Sequence, residues 1–290
     1  MKLLSGTTLS MAAILAAVSI QTANAAAVYD WGLETGSANA TLTEGSPGDF
    51  STTTPTGNAA PRALFSTASF GNIGDTVQLS GTVSFANTLG NQQFRFGLFN
   101  NNSHALGSLN SGVWTGADPA GWLGYIVEPG NAGGTTALYG RNGSGANAWL
   151  STSGAAYLIN GNSTPASPGP GSYEFFLSLS RSSATSVDIS YAFTQTSGGS
   201  YSTSGFFSDS SGLSSGVSSF NAVGFLLNAN TGAGTFTGVD VPVPEPSSAS
   251  LAVVGLAALL KMRRGRARFL SWRPRRSKVR WTGFRFLRCW

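Results

Sequence analysis

The chain is short of the groups that do chemistry. Among 290 residues there is one cysteine, Cys289, and one histidine, His104. A single cysteine excludes an internal disulfide and a cysteine-based metal site. A single histidine leaves at most one centre about which a Ser-His-Asp arrangement could form, and no Gly-x-Ser-x-Gly elbow accompanies it. Zinc needs three or four nitrogen or sulfur ligands, which are not there. No Asp-x-Asp-x-Asp loop offers clustered oxygens to calcium, and the 38 glycines follow no phosphate-loop spacing. No metal and no cofactor is expected. Glycoside hydrolysis needs two carboxylates about 5 to 9.5 Å apart. Here Glu174 and Asp188 stand singly on different strands and Glu128 precedes Pro129.

Charge is scarce too, at 10% of residues, while 41% are hydrophobic. A disordered solvating chain shows the opposite balance. The net charge of +5 averages two unlike regions. Twelve of the 17 basic residues lie from Lys261 onward, whereas all 12 acids precede it. Between Ala26 and Pro246 only Arg62, Arg95, Arg141 and Arg181 oppose the 12 acids, giving 4 − 12 = −8. A folded part this acidic is not a nucleic-acid binder.

The two ends carry the most specific patterns. Lys2, the apolar run Met11–Ile20 and the small residues Ala23 and Ala25 have the order of a secretory leader cleaved after Ala25. Ten apolar residues fall short of the ~20 that span a bilayer. Near the other end, Pro244, Glu245 and Pro246 precede a greasy stretch that includes Ser247, Ala249, Leu251, Val253, Val254, Leu256, Leu259 and Leu260. Lys261, Arg263, Arg264 and Arg266 follow at once. Prolines end a preceding strand, an apolar stretch in lipid must be helical, and a basic cluster holds its end on the cytoplasmic side. Ser247 to Met262 is 16 residues, or about 24 Å of helix, short of the ~30 Å hydrocarbon core.

This order resembles the PEP-CTERM sorting domain of Gram-negative bacteria, over residues 243–267. The leader implies export through the Sec translocon and removal by signal peptidase; the resemblance implies recognition of Pro244, Glu245 and Pro246 by an exosortase-type processing enzyme and removal of the tail. It implies a transient inner-membrane-anchored precursor, then delivery to the cell surface or extracellular matrix. The segment 268–290 departs from that pattern. Trp272, Trp281 and Trp290 are interleaved with arginines, a composition that could grip anionic lipid or nucleic acid; a reading-frame extension of the tail is the other explanation.

Between the ends, residues 26–242, alternation with a period of two dominates. Val77, Leu79, Val83 and Phe85 share one parity, as do Phe94, Phe96 and Leu98. So do Tyr173, Phe175, Leu177 and Leu179, then Val187, Ile189, Tyr191 and Phe193. Alternate side chains of a strand face one side, so each run has a core face and a polar face. Turn formers separate the runs, which predicts an all-β antiparallel sandwich. The run Val223–Leu227 suits a strand covered on both sides. Residues 131–145 and 160–172 read as long polar loops. The layout is similar to concanavalin-like jelly rolls, on Phe94–Phe99, Gly121–Val127 and Phe236–Val241.

The expected protein is therefore a non-enzymatic surface or matrix protein with a structural or adhesive role. A lectin-like carbohydrate-binding module is the alternative, and a polysaccharide hydrolase a second one. Trp114, Trp122, Tyr139 and Trp149 are the candidate glycan contacts, since aromatic faces pack on sugar C–H surfaces while nearby amides serve hydroxyls. Extracellular polysaccharide is then the partner.

Overall fold

The computed structural model describes residues 24–243, apart from 28, 35–36, 38–39, 54–56, 90–93, 117–120, 131–134, 144–155, 164–166, 212–215 and 229–230; it gives the backbone alone at 24–27, 29, 135, 156–163 and 243. The leader up to Ala23, the Pro-Glu-Pro motif, the apolar stretch and both basic segments lie outside the described residues, as does Trp149.

The described residues form an antiparallel β-sandwich. One sheet, here sheet A, has the order β15 (Ser202–Asp209), β14 (Val187–Ser197), β13 (Gly171–Arg181), β6 (Thr76–Phe85), β17 (Gly234–Val243), β4 (Phe50–Thr52) and β3 (Leu42–Glu44). A further strand, β1 (Asn24–Ala27), pairs with the far end of β17. Sheet B runs β12 (Ala156–Ser163), β11 (Thr135–Asn142), β10 (Leu123–Glu128), β7 (Phe94–Asn100), β16 (Ser219–Leu227), β5 (Pro61–Ser69), β2 (Tyr29–Glu34), β9 (Val113–Thr115) and β8 (Ser108–Asn110). Every pairing is antiparallel except that of β2 with β9. Among the described residues no helix is long and apolar enough to cross a membrane.

The alternation predicted for β6, β13 and β14 is the one observed. In β14 the pattern is buried at Val187, Ile189, Tyr191, Phe193 and Gln195, with partly exposed residues between them. These inward residues meet those of sheet B in a core rich in aromatic rings. Tyr173 stacks on Phe193 at 4.5 Å, Phe50 on Phe236 at 4.3 Å and Trp31 on Phe50 at 4.2 Å between centroids. Such pairs add about 0.5–1.5 kcal/mol beyond their area, which a domain without disulfides can use. Val223 to Phe225 are all buried, as expected of a strand covered on both faces.

Two expectations about loops are corrected. Residues 135–142 are strand β11, not loop, and 156–163 are strand β12, so that the predicted loop beginning at 160 starts inside a strand. The segment Thr-Thr-Ala-Leu-Tyr-Gly-Arg-Asn lies in a stretch whose small polar residues read as loop, yet its Arg141 is fully buried. At the amino end β1 begins at Asn24 and pairs it with Val243. Cleavage after Ala25 would leave Ala26 and Ala27 in that ladder, opposite Val241 and Asp240.

Candidate functional site

The outer side of sheet B is covered. Phe99, Trp122, Ile126 and Ala222 form a second apolar cluster there, with Leu64, Leu106, Tyr139 and Leu226 packed against it. The hairpin β8–β9 adds Leu109 and Trp114, whose side chains lie so close over Gly32 that a Cβ there would overlap them. Because of this cover, β7 and β10 are buried on both faces.

Charged groups are trapped under the cover. The Arg62 guanidinium lies 4.6 Å from the Trp114 ring centre and 5.0 Å from that of Trp122, and its Nε is 3.4 Å from Glu34 Oε2. Trp114 Nε1 donates to the Arg62 carbonyl at 2.9 Å. Arg95 Nε donates to Glu128 Oε2 at 2.8 Å, with both side chains buried. Arg141 Nε donates to the Trp122 carbonyl at 3.1 Å. Burial pushes both Arg62 and Arg141 down to about 10. The same desolvation raises Glu34 and Glu128, and the attraction of Arg62 and Arg95 offsets it only in part.

This placement decides what the candidate glycan contacts do. Trp122 is fully buried and Trp114 is 5% exposed, so both indoles spend their faces on Arg62 and the second cluster. Neither offers a face to a sugar. Tyr139 is half-buried against the same cluster, and burial, then the Glu128 carboxylate, raises its phenol. His104 packs its imidazole against Gly121, tightly enough that a Cβ at Gly121 would overlap it.

The outer side of sheet A is open and has another composition. Pairing places Ser204, Ala192, Phe176 and Ser80 in one row across four strands. On one side of it lies the row Ser202, Thr194, Glu174, Thr82 and Thr237. On the other lie Phe206, Ser190, Ser178 and Gln78, and beyond them Ser208, Asp188, Ser180 and Thr76. Neighbouring side chains bond across the strands, as Thr76 Oγ1 does to Ser180 Oγ at 3.2 Å and Gln78 Nε2 to Ser178 Oγ at 3.4 Å.

Two aromatic rings interrupt this hydroxyl field. Phe206 is 66% exposed, while Phe176 is half-buried. Phe176 and the exposed Glu174 line a shallow cavity of about 360 Å³ with Ser80, Thr82 and Thr194. Phe206 lies two strands and two residues from Phe176, about 12 Å at the usual strand spacings. That is more than the width of one pyranose, so the rings suit two different sugars of a chain.

The carboxylates of this face are not a hydrolytic pair. Asp188 is six residues along β14 from Thr194, the partner of Glu174, which separates the two acids by about 20 Å. Asp240, opposite Ser80, stands about 12 Å from Glu174. Both exceed the ~5–9.5 Å of a glycosidase pair. Among the described residues no group of three or more His, Cys, Asp or Glu is arranged to hold a metal ion.

The aromatic doublets were the signal that sequence reasoning missed. On a strand, neighbours face opposite sides, so Phe175-Phe176 must put one ring outside the core, and so must Phe206-Phe207. Of the tryptophan candidates, Trp114 and Trp122 serve packing, and Trp149 lies outside the described residues.

No known family profile matches the chain, and no curated protein matches it by sequence. Among solved structures it is similar to lectin II from Ulex europaeus, at 14% identity over 70% of this chain and 90% of that one, with a TM-score of 0.39. It is similar to the Emp46p carbohydrate recognition domain in its potassium-bound form, at 10% identity over 74% and 89%, with a TM-score of 0.40. The lectin from Bauhinia forficata in complex with GalNAc gives 8% identity over 75% and 94%, with a TM-score of 0.39.

Proposed function

We propose that this chain is an exported cell-surface protein whose sandwich holds carbohydrate on the outer face of sheet A. The observation that carries the proposal is the pair Phe176 and Phe206, displayed on a field of Ser, Thr and Gln side chains with Glu174 at the cavity. Aromatic faces pack on the C–H surfaces of sugars, and the hydroxyls and carboxylate exchange hydrogen bonds with sugar hydroxyls. The face is extended and shallow, which suits a polymer more than a buried monosaccharide. A contact of that kind serves adhesion to, or cohesion of, an extracellular polysaccharide matrix.

The sorting part of the proposal rests on the order of the terminal motifs. Pro244, Glu245 and Pro246 are the recognition residues for an exosortase-type enzyme, the stretch 247–260 the transient membrane anchor, and Lys261 with Arg263, Arg264 and Arg266 the cytoplasmic stop. Ala23 and Ala25 mark leader cleavage. Intact-mass measurement of the exported form tests this directly: a chain beginning at Ala26 and ending near Pro246 supports it, and an uncut chain overturns it.

Binding is tested with polysaccharide pull-down and calorimetry on the exported protein. Replacing both rings, Phe176→Ala with Phe206→Ala, should weaken binding about 30- to 100-fold, or ~2–3 kcal/mol. Undiminished binding by a folded double variant would remove sheet A from the account.

A further inference from the structure

The distribution of charge points to a class of glycan. The described residues include no lysine and four arginines, all buried: Arg62 and Arg141 fully, Arg95 and Arg181 to within 7% and 8% exposure. Three of them lie under the cover on the outer side of sheet B. The fourth, Arg181, belongs to the inward-facing set of β13 and donates to the carbonyls of Val217 and Ala184 at 2.7 and 2.8 Å. There is no lysine between Lys2 and Lys261. The outer face of sheet A thus carries Glu174, Asp188 and Asp240 with no lysine or arginine among the described residues beside them; in a chain beginning at Ala26 the terminal ammonium stands near Asp240, the partner of Ala27, and leaves Glu174 and Asp188 uncompensated.

From this we infer that the outer face of sheet A selects uncharged glycans and rejects polymers bearing uronate, sulfate or phosphate. The inference rests on the carbohydrate reading above and names the class of polymer for that site. The physical reason is simple. A polyanion bound there would bring its charges into the field of fixed carboxylates, with no arginine or lysine among the described residues on that face to compensate. An uncharged sugar meets only hydroxyls, amide and carboxylate acceptors, all of which it can satisfy. Specificity is then set by repulsion of the wrong partner as much as by attraction of the right one.

The three carboxylates are spaced about 12–20 Å apart. At ~10 mM salt the Debye length is about 30 Å and the whole face acts as one negative field; at ~1 M it is about 3 Å and each acid is isolated. Selectivity should therefore depend on salt, while binding of the neutral polymer should not.

The test is calorimetry of the exported protein with a neutral β-glucan oligomer and a polyuronate oligomer of matched length. At ~10 mM salt the uronate should bind at least about tenfold more weakly, and at ~1 M the two should come within about threefold. The variant Asp188→Asn, at an acid that stands away from the chain terminus, should recover several-fold of the uronate affinity at low salt and leave the neutral oligomer as it was. Equal or tighter uronate binding at low salt overturns the inference while keeping the carbohydrate reading. Binding of neither oligomer overturns both.

Discussion

The two outer faces of the sandwich start from the same kind of strand and end in opposite conditions. On sheet A the alternate residues are Ser, Thr, Gln and single acids, and they meet solvent. On sheet B the corresponding positions are Phe99, Ile126, Arg62, Arg95 and Arg141, and they are buried. The difference lies in the segment after β7, whose hairpin and whose Leu106, Trp114 and Trp122 lie over sheet B. A second small core has been built on one face only. Arginines are tolerated in it because each finds an aromatic face, a carboxylate or a carbonyl; a buried cation without such partners would be far costlier. The lesson is that a face is assigned by what covers it, and residue polarity alone misleads.

The largest effect should come from opening the covered face. Trp122→Ala removes a fully buried ring, and with it a surface on which the Arg62 guanidinium rests. Truncating a large aromatic in a core costs about 3–5 kcal/mol. Chemical denaturation should show that loss, with the Trp122→Phe change recovering a large part of it. If Trp122→Ala unfolds at the same denaturant concentration as the parent, the cover contributes nothing and the two faces are equivalent.

A smaller effect of the cover shows in the pH dependence of stability. Glu34 and Glu128, both under the cover, are raised from their ordinary value by burial, with Arg62 and Arg95 lowering them less. An acid whose folded-state value is raised binds more protons folded than unfolded between the ordinary value, near 4.5, and the raised one. Stability then rises as pH falls through that window, and the gain is complete below about 4.5. Thermal midpoints should therefore increase on acidification toward about pH 4.5, and Glu34→Gln with Glu128→Gln should flatten that part of the profile. A midpoint that falls steadily over that range would contradict the burial described for these two acids.

How much of this was legible beforehand follows from the same contrast. The open sheet was easy to read, because Tyr173, Phe175, Leu177 and Leu179 alternate with polar residues and solvent enforces the alternation. The covered sheet was not. Phe94-Arg-Phe-Gly-Leu-Phe99 is buried on both faces with a charged residue inside it, a pattern that local periodicity cannot separate from a half-exposed strand. β11 was hidden because it lies inside a stretch, 131–145, whose composition reads as a polar loop. β9 joins β2 across about 80 residues of sequence, a contact no local pattern records. Trp114 and Trp122 look like ligand platforms in the sequence until their burial against the Arg62 guanidinium is seen. The doublets Phe175-Phe176 and Phe206-Phe207 place one ring of each on the open face through strand parity alone.

The smallest expected effect on stability is the most informative about the open face. Phe206 is 66% exposed, on the last strand of sheet A, and touches little that folding depends on. Surface substitutions of this kind change stability by about ±0.5 kcal/mol, so Phe206→Ala should unfold with the parent. Replacing an exposed strand phenylalanine costs some strand preference but removes apolar surface from water, and the two oppose each other. A ring kept in water for packing reasons should be missed on denaturation; a ring kept for a ligand should be missed only when the ligand is present. The decisive measurement is thus the pair of curves, denaturation with and without a neutral oligosaccharide. Ligand that binds only the folded form stabilises it in proportion to the logarithm of its saturation, and that shift should appear in the parent and shrink in Phe206→Ala. A variant that loses about 2 kcal/mol without ligand would mark Phe206 as packing, and the contrast between an open, ligand-ready face and a closed one would fail at that residue.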